Sequence, residues 1–191
     1  MKTSRLEAFS DGVLAIIITI MVLEMEPPKT FTLNALKPIF PVFVSYVLSY
    51  MYVGIYWNNH HHLFQIVEKV NGKVLWANLL LLFSLSLLPF ATAWIGENIE
   101  EKLPMMLYGF ILLAAAISFK ILVHTIIHTE GENSNLTKVY QNDKRLLISI
   151  GGYLLGIGAS YFLPIVGLFI YLGVGFMWLI PDKRIEKALE K

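Results

Sequence analysis

The chain is predicted to be an all-α membrane protein of six transmembrane helices, and three observations predict it. Of its 191 residues 56% are hydrophobic and 15% charged, against about 25% charged in ordinary soluble domains. So much apolar surface needs a non-aqueous solvent. The charged residues bracket uncharged stretches of the length a bilayer demands, about 20 residues across a core of about 30 Å. Lysine and arginine then fall unequally on alternate sides of those stretches, as positive-inside topology requires.

The first helix is expected over 5–25. Lys2 and Arg5 ahead of the apolar run Gly12–Leu23 superficially resemble a signal peptide. The run ends in Glu24, Met25, Glu26, Pro27 and Pro28 with no small-residue cleavage pattern, so it is read as a mature helix. The second span, 37–62, lies where nothing is charged between Lys37 and Glu68; the third, 73–95, occupies the uncharged stretch between Lys73 and Glu97. The fourth, 103–126, contains the run Leu103–Phe119 and then Lys120, whose stem can snorkel to an interface. The uncharged block between Arg145 and Asp182 is too long for one crossing. Pro164 interrupts it and disfavours helix in the preceding residue. The block therefore divides into spans 145–162 and 164–181 around a tight turn at Phe162–Pro164. Residues 1–191 make one six-helix domain.

A cytoplasmic N-terminus puts Lys2, Arg5, Lys69, Lys73, Lys120, Lys138, Lys144, Arg145, Lys183, Arg184, Lys187 and Lys191 inside. Only Lys29, Lys37 and Lys102 fall outside, so twelve of the 15 cationic residues share one side. An odd number of helices would spoil this bias; both termini are expected in the cytoplasm of a multi-pass cell-membrane protein. Trp57, Trp76, Trp94 and Trp178 fall near proposed helix ends, as interfacial aromatics do. Gly151, Gly152, Gly156, Gly158, Gly167, Gly173 and Gly175 crowd the last two helices. Gly152 and Gly156 have the spacing that permits close helix approach in lipid, although such glycines equally serve only to soften a helix. No repeat relates the first three helices to the last three, which argues against an inverted-repeat transporter.

A net charge of +1 leaves no global field favouring nucleic acid or an acidic partner. With no cysteine there is no disulfide, thiolate metal site or cysteine nucleophile. No HExxH, P-loop or GxSxG motif occurs, and the carboxylates cluster at membrane faces, so the chain does not read as an enzyme. His60, His61 and His62 are consecutive and diverge by about 100° each on a helix. His124 and His128 have chelating spacing without a third ligand. No resident metal or cofactor is expected.

The first helix differs from the rest. Only twelve uncharged residues separate Asp11 from Glu24, short for a lipid-facing span, and Asp11 is costly against lipid. This helix should face protein or water. Gly12, Ile16, Thr19, Ile20 and Leu23 share one helical stripe. Two readings of it stay open: ordinary helix packing, or a water pathway constricted by apolar rings and gated by dewetting.

Arg5–Leu6–Glu7–Ala8–Phe9–Ser10–Asp11, followed by Gly12–Val13–Leu14–Ala15–Ile16–Ile17–Ile18–Thr19, carries an RxxxFSD signature. The segment resembles the bacterial branch of the lysosomal potassium channels of the transmembrane protein 175 type. The likeness extends through Trp57, His60–His62, Leu63–Phe64, Asn78 and Leu87–Thr92, and the chain has the length of one repeat of that family. The resemblance implies a homotetramer whose first helices line a central pore, conducting potassium in preference to sodium without a re-entrant carbonyl filter; no TVGYG-like segment is present. It places Ile16 at the hydrophobic constriction, Ile20 and Leu23 at further apolar pore positions, and Thr19 at a hydroxyl position.

An apolar ring of four Ile16 side chains would make an ion shed part of its hydration shell, which costs potassium less than sodium; without a rigid array of strong dipoles, selectivity should be modest. Glu24 and Glu26 are expected to concentrate cations at the outer mouth, or else to form a solvated helix end. Arg5 and Asp11, six residues apart, point about 240° from each other and should reach neighbouring helices. The resemblance suggests a structural network of Arg5, Ser10 and Asp11 with His60, His61, His62 and Asn78; Phe9 belongs to the same signature. A proton-coupled transporter, with Asp11 as relay, and a non-transporting scaffold are the alternatives. The expected partners are lipid, potassium and further copies of the chain.

Overall fold

The apolar stretches fold as helices because a chain in lipid must satisfy every backbone N–H and C=O within itself. A computed structural model describes residues 3–67, 69–131 and 144–179. Lys2, Lys138, Lys183, Arg184, Lys187 and Lys191 of the charge pattern lie outside the described residues. So do the last two positions of the expected 164–181 span.

Helix α1 is Thr3–Leu23, and a short 3-10 turn, Leu33–Leu36, leads to α2, Ile39–Gln65. The third apolar stretch is divided into α3, Gly72–Ser86, and α4, Leu88–Glu97. Asn71 caps α3, its side chain accepting from the Val74 N–H at 3.0 Å. Pro89 causes the division: it has no N–H to bond back to Leu85, so the helix tightens at Leu87 and starts again with proline in its first turn. Next come α5, Lys102–Glu130, α6, Arg145–Phe162, and α7, Pro164–Leu179. Leu163, ahead of Pro164, is extended at φ −139° and ψ 99°. Among the described residues there is no strand.

Among the described residues, five stretches are long and apolar enough to cross a membrane: α1, α2, α3 with α4, α5 and α6. The apolar α7 is shorter, at 16 described residues. Arg5, Lys69, Lys73, Lys120, Lys144 and Arg145 lie towards one end of the bundle, and Lys29, Lys37 and Lys102 at the other. Contacts between distant segments pin the first end together. The Lys69 N–H donates to Glu130 Oε1 at 3.1 Å and Asn71 Nδ2 to Thr129 Oγ1 at 3.0 Å.

Helix α1 packs on α2, α3 and α4; α5 sits against α3 and α4, with α6 and α7 on it. Three glycines set the α6–α7 separation. A Cβ at Gly152 would run into Val174 Cγ2, one at Gly156 into the Tyr171 ring, and one at Gly167 into the Ser160 hydroxyl. At these positions the small residue serves close packing; a Cβ at Gly151, Gly158 or Gly173 meets nothing. Tyr52, Tyr108, Tyr153 and Tyr171 are buried between α2, α5, α6 and α7. Their hydroxyls find internal partners, as low-dielectric burial demands. Tyr52 donates to the Tyr171 carbonyl at 2.6 Å, Tyr108 bonds Ser49 at 3.0 Å, and Tyr171 donates to the Met105 carbonyl at 3.4 Å.

Candidate functional site

Helix α1 has a periodic inner face. Leu6, Ser10, Leu14, Ile17 and Met21 are buried, at spacings of three and four that keep them on one side of a helix. The stripe of interest does not belong to that side. Ile16 is 60% exposed and Leu23 74%, whereas Ile17, one residue away, is 3% exposed. Ile20 and Thr19 are exposed with them. Within the chain, then, this stripe of α1 has no packing partner, although α1 itself, at 21 residues, is long and apolar enough to cross a membrane, contrary to the short span expected from its charges. Thr19 Oγ1 donates to the Ala15 carbonyl at 2.8 Å. That bond commits its proton to the backbone and leaves the oxygen lone pairs to accept from water or meet a cation. Glu24 and Glu26 lie exposed just past the last helical residue, Leu23.

The cytoplasm-directed end expected from the charge pattern carries the signature, and there the structure joins three of the predicted residues. Ser10 Oγ donates to the Leu6 carbonyl at 2.9 Å, Asn78 Nδ2 donates to Ser10 Oγ at 3.0 Å, and His60 Nε2 meets Asn78 Oδ1 at 2.8 Å. All three side chains are buried. The chain of bonds ties α1 to α3 and α3 to α2. Asp11 points elsewhere: its Oδ1 accepts from Trp57 Nε1 at 3.0 Å. Trp57 stacks on His61, whose ring centroid is 6.0 Å away and nearly parallel. His61 in turn has Nδ1 at 3.6 Å from Glu7 Oε1 and Nε2 at 2.8 Å from Gln65.

The remaining candidates stand apart from these contacts. His62 Nδ1 is buried with no hydrogen-bond partner. Arg5 and Phe9 are exposed on α1. Among the described residues no three metal-ligating side chains converge; His124 and His128 pack edge to face, ring centroids 5.9 Å apart.

A second polar layer lies outside the signature residues. Thr92 Oγ1 lies 2.6 Å from the Leu88 carbonyl and 2.7 Å from Ser49 Oγ, with Met21 Sδ at 3.8 Å. Ser45 Oγ reaches the Val42 and Thr92 carbonyls at 2.8 and 3.1 Å. These contacts tie α1, α2 and α4 together deeper in the bundle. The signal was present, because Ser45, Ser49 and Tyr52 recur at helical spacing along α2 and mark a polar stripe in an otherwise apolar span.

The chain has counterparts among known proteins. A family model described as endosomal/lysosomal potassium channel TMEM175 matches residues 5–89, the stretch that carries the signature, His60 and Asn78. A potassium channel of Chryseobacterium sp. (strain P1-3) is 54% identical over 191 residues, covering 100% of both chains. The endosomal/lysosomal proton channel TMEM175 of Mus musculus is 31% identical over 118 residues, 59% of this chain and 24% of that protein. The crystal structure of a lysosomal potassium-selective channel TMEM175 homolog from Chamaesiphon minutus superposes with a TM-score of 0.76 at 25% identity, covering 93% of this chain and 96% of that one. Identity above half along the whole length, together with this fold and signature, shows that the chain belongs to the TMEM175 channel family.

Proposed function

We propose that the chain is one subunit of a homotetrameric cation channel of the cell membrane, with both termini cytoplasmic, that passes potassium in modest preference to sodium. The observation that carries this reading is the outward stripe of Ile16, Thr19, Ile20 and Leu23. Asp11 and Glu24 bracket its twelve uncharged residues, about 18 Å at helical rise, so that charged groups stand at both ends of the stripe. Converging copies around an axis give the stripe a use. Ile16 forms the constriction, Thr19 oxygens replace part of a lost hydration shell, and Glu24 and Glu26 attract cations to the mouth. The names of the relatives support permeation of ions as the activity.

The mouse relative is named a proton channel, which favours proton permeation as the second reading. Recording in planar bilayers under opposed potassium, sodium and proton gradients separates the possibilities. Discrete steps reversing near the potassium potential support the proposal. Reversal following pH selects the proton reading, saturable turnover without steps selects a coupled transporter, and silence of a well-folded oligomer leaves a scaffold.

Arg5 and Asp11 are assigned to architecture. Asp11→Ala removes the acceptor of the Trp57 N–H, a charge-assisted bond worth about 1 kcal/mol at a partly hydrated site. Asp11→Ala and Arg5→Ala are each expected to reduce the oligomer recovered on a sizing column. An unchanged oligomer peak for both excludes the assignment.

A further inference from the structure

Helix α5 carries a ruler of its own depth. Lys102 and Lys120 bracket seventeen uncharged residues, Leu103–Phe119. At helical rise the two lysines stand about 27 Å apart along the axis, close to a hydrocarbon thickness of about 30 Å. If Lys102 marks one boundary, Lys120 stands at the head-group level of the other, and the last turns of α5 project beyond it. At that level a groove of about 200 Å³ opens between α5, α6 and α7. Its walls are apolar, from Phe119, Val123, Ile127, Leu146, Leu147 and Trp178, while Lys120 and His124 supply the polar rim. The Arg145 guanidinium lies over the Trp178 ring at 4.9 Å, adding positive charge beside the same wall. Trp178 itself is anchored by donating to Ser149 Oγ at 2.7 Å. The α5 carboxylate at this end, Glu130, accepts from the Lys69 N–H, on the α2–α3 connection.

We propose that this groove is a binding site for an anionic phospholipid, one acyl chain lying along its bilayer side on Phe119, Leu147 and Trp178 and the phosphate held by Lys120 with His124. The charges are complementary to such a lipid, and the depth fits a head group whose tail turns into the bilayer. A neutral lipid would leave Lys120 without a counter-ion at the boundary, where the ordinary expedient is to snorkel away from the groove. The site lies on the α5–α7 side, whereas α1 packs on α2, α3 and α4. It therefore holds whatever ion the channel passes.

Native mass spectrometry of the purified oligomer titrated with phosphatidylglycerol and phosphatidylcholine tests the proposal. One phosphatidylglycerol per subunit is expected to be retained in preference to phosphatidylcholine. Lys120→Glu should weaken its binding about tenfold, Lys120→Arg should preserve it, and Leu147→Trp, which fills the groove without changing charge, should displace it. Lys102→Gln, at the opposite membrane boundary, should change nothing. Retention unaffected by both Lys120→Glu and Leu147→Trp overturns the proposal and shows the groove to be covered by protein. Equal loss on Lys102→Gln also overturns it, since the attraction is then to charge in general. Added inorganic phosphate that competes the lipid away leaves only an adventitious ion site and counts against it as well.

Discussion

Replacing Ile16 with asparagine is expected to raise single-channel conductance about tenfold, the change that removal of about 1.4 kcal/mol from a barrier produces, and to bring the potassium-to-sodium permeability ratio close to unity. The barrier is one of wetting. A narrow ring of branched apolar side chains excludes water, so an ion passing it parts with hydration and gains nothing in return. Asparagine supplies a carbonyl oxygen and an amide at the same place and lets the hydration shell pass. Both the conductance gain and the loss of discrimination follow, because discrimination rests on the unequal cost of dehydration. The neighbouring position provides the contrast. Ile17 is 3% exposed and faces α2–α4, so Ile17→Asn buries an amide without a designed partner and should cost assembly rather than change permeation. Bilayer recordings and sizing profiles of the two variants side by side decide the matter. A normally assembled Ile16→Asn oligomer with wild-type current removes Ile16 from the pathway.

Asn78→Leu should have the largest effect on stability. Asn78 is the middle of the Ser10–Asn78–His60 chain, donating to one partner and contacting the other through its carbonyl oxygen. Leucine removes both bonds at once. Ser10 keeps its bond to the Leu6 carbonyl, but His60 loses its Asn78 contact in a buried position. A buried group left without a partner costs about 1–3 kcal/mol, and the loss falls where three helices meet. The thermal midpoint in detergent should drop and the yield of intact oligomer with it. The double variant His60→Leu with Asn78→Leu should be less damaging than the sum of the single ones, since it removes the orphan as well as its partner. Additive losses would mean that the two residues act independently. Ser86→Ala, which deletes an exposed hydroxyl bonded only to its own turn, serves as the neutral control.

The break in the third apolar stretch illustrates what a proline does and does not announce. Pro164 split a block that length alone had already shown to be too long, and the turn stands at Leu163. Pro89 sits inside a stretch of ordinary span length, where nothing in the charge pattern asks for a division; the helix is interrupted at Leu87 and still runs on as one crossing, Gly72–Glu97. Local backbone chemistry is legible at both prolines, but its consequence depends on whether neighbouring helices hold the two halves in line.

The same division runs through the candidate site. Gly12, Ile16, Thr19, Ile20 and Leu23 were grouped by helical period, yet a period cannot say which side of a helix meets its own subunit. The tertiary structure assigns burial to Leu6, Ser10, Leu14, Ile17 and Met21, and so turns the grouped stripe outward. Among the polar candidates, Ser10, His60 and Asn78 meet, while Asp11 takes Trp57, His61 pairs towards Glu7, and His62 joins none of them. Consecutive histidines on a helix diverge by about 100°, so at most one can enter a given network. Which one does so is set by the rotation of α2 against α3.

The sequence by itself determined the membrane solvent, the number and approximate bounds of the apolar stretches, and the RxxxFSD segment, because hydropathy, charge placement and short motifs are local properties. Only the tertiary structure decided which side of α1 is spare, which polar side chains share a bond, and which side chains line the apolar groove beside Lys120. Those are relations between helices, fixed by how ridges, glycines and buried hydroxyls settle against one another, and a linear pattern carries no coordinate for rotation.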